Sequence, residues 1–186
     1  MTWPTPSLLI NFLGFQLLWP AAVLGAAHGL PNLAWGVLAV MLVLTAFAGG
    51  EALRDLRMVL AGFLACGLLE PVWLATGMIR YVDWSAQWFA PGWIWALWGG
   101  FAVSFCYCLS WLQTRFLLAA ALGGFGGAFS VLAGIHLGAA EAPLGKMQLL
   151  LAYGAIWALV VPFFAALSRV LVKSSEQPEH GVDGNA

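Results

Sequence analysis

The chain has 186 residues, 62% of them hydrophobic and 8% charged, with a formal net charge of -1. A soluble domain carries about 25% charged residues, so this composition excludes an ordinary water-facing surface. The near-neutral balance also excludes the concentrated basic face that nucleic acid requires, and no nucleic-acid partner is expected.

Crossing roughly 30 Å of hydrocarbon takes about 20 helical residues. Six apolar stretches approach or exceed that length, and open strands would leave backbone groups unpaired in lipid. The expected fold is therefore all-α: a polytopic membrane bundle of six transmembrane helices in a single domain over 1–172. The first span, 7–27, ends at His28-Gly29-Leu30-Pro31-Asn32. Its Leu24-Gly25-Ala26-Ala27 loosely resembles a signal cleavage site, but no Lys or Arg precedes the apolar run, so it is read as retained. Asn11 and Gln16 fall on different faces of it, because five residues rotate a helix by about 500°.

The second span, 33–50, runs into the charged turn Glu51 to Arg57, and the third covers 58–79. Within the third, Glu70 is an acid in a span interior, where a charge costs roughly 3 kcal/mol or more. Cys66, Gly67, Trp73, Leu74 and Gly77 lie near its helical face, which should turn Glu70 toward other helices. There it is expected to be neutral and hydrogen-bonded unless a cation sits close, serving either as a proton or cation site or as a polar clasp. Between Arg80 and Gly92, Tyr81, Trp84 and Trp88 stand at helical spacing, which predicts an aromatic belt or a helix lying at the membrane surface.

The fourth span, 93–112, puts Ser104 and Tyr107 near one face, as cavity lining or as clasps between helices. The fifth, 116–138, aligns Gly123, Gly127, Ser130, Gly134 and Gly138 in a groove suited to close helix packing or to a flat or extended ligand. Its Gly123-Gly124-Phe125-Gly126-Gly127 run lacks the Lys-Ser/Thr of a phosphate loop and lies inside a span, so that reading is rejected. The sixth span is 147–167, and 173–186 is expected to be a disordered cytoplasmic tail in which His180 is merely solvated. An internal N-terminus places Arg54, Arg57, Arg115, Arg169 and Lys173 in the cytoplasm and Arg80 and Lys146 outside, so both ends are expected inside.

That topology gathers His28, His136, Asp83 and Glu141 at the outer ends of their spans. Two imidazoles with carboxylates suit a divalent metal or haem, yet no His-x-x-x-His spacing is present, and no metal or cofactor is expected. Cys66, Cys106 and Cys108 read as packing residues and not as a disulfide or metal framework. No pairing of nucleophile and base is readable.

Asn11-Phe12-Leu13-Gly14-Phe15-Gln16 through Trp19, with Gly25-Ala26-Ala27-His28-Gly29, resembles the opening of a bacterial family known as domain of unknown function 2878. Leu97-Trp98, Phe101-Ala102, Leu109-Ser110-Trp111-Leu112, Leu122 to Gly127 and Leu132 to Ala139 resemble its later signature. The resemblance covers nearly the whole chain except the tail. Glu70 stands where the family pattern has an Asp, and His136 where it has a basic or polar residue. The resemblance implies a small polytopic protein of the bacterial inner membrane and carries no established activity.

The function expected from these residues is non-catalytic: binding a lipid or hydrophobic small molecule, or supporting another membrane protein. The alternatives are a small transporter with Glu70, Asn11, Gln16, Ser104 and Tyr107 along its pathway, and an intramembrane enzyme using Glu70 or His28 and His136.

Overall fold

The computed structural model describes residues 4–176, which form six α-helices and one two-stranded ribbon. Helix α1, Pro6–Ala27, opens on Thr5, whose hydroxyl accepts from the Leu8 amide at 3.3 Å, and on Pro6, whose missing N–H costs nothing at a first turn. Helices α2 (Leu33–Phe47) and α3 (Ala52–Ala75) follow, then strand β1 (Arg80–Tyr81) and helix α4 (Gly92–Ser104). Helix α5 (Phe116–His136), strand β2 (Ala140–Glu141) and helix α6 (Lys146–Glu176) complete the order.

Four helices, α1, α3, α5 and α6, are long and apolar enough to cross a membrane. Their outward faces are those of a lipid-solvated protein: Leu117 is 90% exposed, Phe125 81% and Leu68 73%. In water those surfaces would drive aggregation; in hydrocarbon they cost nothing.

The remaining two expected spans differ. Helix α2 has 15 residues, about 22 Å at 1.5 Å each. Helix α4 has 13, and the expected fourth span, 93–112, is not continuous. After Ser104 the chain passes through turns into a single 3-10 turn at Ser110–Leu112. The backbone groups freed by this break find side chains: Gln113 Nε2 donates to the Phe105 carbonyl at 3.0 Å, and the Cys108 amide donates to Asn11 Oδ1 at 3.5 Å. Non-helical backbone among apolar helices persists where protein partners pair it.

The expected boundary of the third span also moves. Helix α3 begins at Ala52, so Arg54 and Asp55 belong to its first turns and not to a loop, and Asp55 is buried. Helix α6 continues to Glu176, so 173–176 of the expected tail are helical; the rest of that tail, with His180, lies outside the described residues.

Helices pack chiefly as consecutive hairpins, α1 on α2, α3 on α4 and α5 on α6, with α4 also against α1 and α2. Small residues set the two closest approaches. A Cβ at Gly62 would meet the Trp98 carbonyl and Ala102, which brings α4 onto α3. A Cβ at Gly123 or Gly127 would collide with Trp157, and Gly124 and Gly154 face one another across the α5–α6 seam. The ribbon joins two helix ends. Gly77 (φ 71°) and Gly138 (φ 82°) adopt the left-handed conformation that ends α3 and α5 and turns the chain back. Arg80 then pairs with Glu141, and Tyr81 with Ala140, antiparallel.

Candidate functional site

A cavity of about 490 Å³ lies between α1, α4, α5 and α6, and Glu70 of α3 reaches it. On α5 the lining includes glycines as well as side chains, and at Gly126 and Gly134 a Cβ would meet no atom within 4 Å. The expected glycine stripe thus packs α6 at Gly123 and Gly127 and leaves open space at Gly134, while Gly126, off that stripe, also has open space. Gly138, expected on this groove, serves as the helix-ending turn.

Aromatic rings make most of the remaining lining, among them Phe15, Trp19, Trp93, Trp98, Phe101 and Trp157. Trp98 and Trp157 stack at 5.0 Å between centroids. Ile79, Tyr81, Ala139 and Ala140 close one end, so the ribbon is the lid of the cavity. Exposed Gln16, Leu122 and Phe129 lie at the side. There α1 and α5 stand apart and are bridged by Trp19 Nε1 donating to Ser130 Oγ at 2.7 Å. The opening therefore faces sideways, between two helices long enough to span a membrane.

The polar groups gather at this ribbon end. Glu70 is 2% exposed. Tyr81 donates its hydroxyl hydrogen to Oε2 at 2.6 Å, and Trp98 Nε1 donates to Oε1 at 3.0 Å. Trp98 reaches the acid because α4 runs antiparallel to α3. Its side chains lean toward its own N-terminus, the end at which Glu70 lies. Tyr81 reaches it because Gly77 reverses the chain after α3 and the ribbon folds Tyr81 over the bundle, 3% exposed and edge-on to Trp93. Tyr153 of α6 stands beside Glu70 and Tyr81, with its ring 4.9 Å from Trp73.

The residues expected along a pathway separate. Glu70 and Gln16 line the cavity; Asn11, Ser104 and Tyr107 do not. Asn11 is engaged with the Cys108 amide and Met41 Sδ. Ser104 donates to the Gly100 carbonyl of its own helix at 2.7 Å. Tyr107 belongs to a second polar cluster at the opposite end of the bundle. There its hydroxyl donates to Asp55 Oδ2 at 2.5 Å, Arg54 bonds Asp55 at 3.1 Å, and the Arg54 guanidinium lies 4.9 Å over the Tyr107 ring.

The expected cluster of His28, His136, Asp83 and Glu141 is not assembled. His28 Nδ1 lies 2.8 Å from the Leu24 carbonyl of its own helix, and Glu141 is taken by Arg80 at 2.6 Å. All four are exposed, and no group of three or more metal-ligating side chains stands together among the described residues. The expected surface helix between Arg80 and Gly92 is likewise absent: the segment is strand and turns, with Trp84 Nε1 donating to the Phe89 carbonyl.

Sequence reasoning singled out Glu70 but missed its partners. A signal for Trp98 was present, since a buried indole N–H needs an acceptor and Glu70 is the acid inside a span. Tyr81 carried no such signal, because its placement depends on the turn at Gly77.

This architecture defines an all-α protein with four apolar helices of membrane-crossing length around an aromatic cavity. The chain belongs to the family described as Protein of unknown function (DUF2878), whose model matches residues 8–163. No curated protein and no solved structure matches it.

Proposed function

We propose that this is a non-catalytic membrane protein that holds a lipid or hydrophobic small molecule in the cavity between α1 and α5. The observation that carries the reading is a 490 Å³ space, aromatic-walled and sideways-opening, with a few convergent polar atoms at its ribbon end. Ligand sites typically have this size and this balance of apolar wall and sparse polar groups. The bare α5 backbone at Gly126 and Gly134 widens the space as a flat or extended molecule needs.

In this reading all six helices lie in the bacterial inner membrane with both ends cytoplasmic. The helices short for a full crossing, α2 and α4, are completed by flanking turns and by the protein around them. Basic residues support the orientation: Arg54, Arg57, Arg115, Arg169 and Lys173 fall at one end, Arg80 and Lys146 at the other. The protein is to be extracted in a mild uncharged detergent and its small-molecule content measured by mass spectrometry. One species enriched over the bulk membrane lipids is expected; an unselective lipid profile would refute the proposal.

A further inference from the structure

We propose that the cavity selects an amphiphile whose polar end is an ammonium group, with Glu70 as its counter-ion; this rests on the cavity-binding reading above. Both Glu70 oxygens accept a hydrogen bond, and one donor, the Trp98 indole, can only donate. The Tyr81 hydroxyl can donate or accept, so this pair of contacts suits the carboxylic acid as well as the carboxylate. A buried carboxyl is neutral unless a cation stands beside it, and among the described residues no Lys, Arg or His lines the cavity. The ion pairs of α3 lie at its far end, Arg54 with Glu51 and Asp55, and Arg80 is held outside by Glu141. An ammonium ligand would therefore supply the positive charge that holds Glu70 ionised.

The surroundings fit an organic cation and not a metal ion. Hard metal ions take six or more oxygen ligands, and here Trp98, Tyr81 and Tyr153 surround one carboxyl, with Trp93 against Tyr81 and Trp157 stacked on Trp98. Faces of Trp and Tyr attract an ammonium through the ring quadrupole, and a carboxylate beside such faces recognises alkylammonium groups. The absence of basic lining residues also disfavours a phosphate next to the amine, because that second charge would go unneutralised. The ligand class is thus an amine on an apolar body, without a phosphate.

Dodecyltrimethylammonium, dodecanol and phosphatidylethanolamine are to be titrated into the whole protein in an uncharged detergent, with tryptophan fluorescence as the readout. Wild type should bind the ammonium saturably and on the order of tenfold tighter than the alcohol. Glu70→Gln should erase that difference, and Glu70→Asp should restore part of it. Equal binding of ammonium and alcohol by wild type overturns the proposal even if Glu70→Gln fails to fold, and leaves the apolar-ligand reading standing. Equal binding of phosphatidylethanolamine overturns the restriction to phosphate-free amines. Saturable binding of none of the three overturns both readings.

Discussion

Glu70 receives one hydrogen bond on each oxygen, and neither donor comes from its own helix. Removing one of them leaves a buried polar atom unpaired, at about 1–3 kcal/mol. Tyr81→Phe should therefore lower the thermal midpoint of the detergent-solubilised protein and weaken ligand binding, whereas Tyr107→Phe, in the opposite polar cluster, should leave ligand binding unchanged. A double-mutant cycle of Tyr81→Phe with Glu70→Gln, read by the same melts, should show a coupling of about 0.5–3 kcal/mol; strict additivity would mean that the two side chains do not interact. At this scale the sequence was half readable. An acid interrupting an apolar span announces itself by its cost, whereas its donors lie 11 and 28 positions away in the chain. Asn11, named along a pathway only in the transporter alternative, stands beside the broken end of α4 and accepts from the Cys108 amide.

Helix boundaries were legible at the His28–Asn32 turn that ends α1, but not at Glu51 to Arg57, whose charges sit in the first turns of α3. They failed where composition stayed apolar: nothing between Trp93 and Leu112 marks the end of α4 at Ser104, because Gln113 and Asn11 make that break tolerable from outside the segment. The α5 glycine stripe was legible as a groove, but its division between packing and open space depends on where α6 lies. That division is testable. Gly127→Leu drives a side chain into Trp157 and should cost about 1–3 kcal/mol of stability, read as a lower melting temperature. Gly126→Leu meets no neighbour and should leave the melting temperature unchanged or raised. A similar loss in both variants would show that the α5–α6 seam is placed wrongly.

Across the whole molecule, the chain alternates between two ends, and the β1–β2 ribbon fixes Arg80 and Glu141 at the same one. Single cysteines introduced at Asp83 and at Glu51, in a background where Cys66, Cys106 and Cys108 are replaced, should react with a membrane-impermeant thiol reagent from opposite sides. The Asp83 position should be labelled in intact cells and the Glu51 position only after lysis; the reverse order would invert the proposed orientation. The membrane class was legible from composition alone, because a chain with 8% charged residues has no other solvent to fold in. The sideways cavity was not, since it arises from the gap between α1 and α5, which are far apart in sequence. The decisive measurement is native mass spectrometry of the wild-type protein beside the Gly126→Leu/Gly134→Leu variant, which fills that gap from the α5 wall. Wild type should carry a bound small molecule and the filled variant, with an equal melting temperature, should not; the same bound species at equal occupancy in both would contradict a ligand site between α1 and α5.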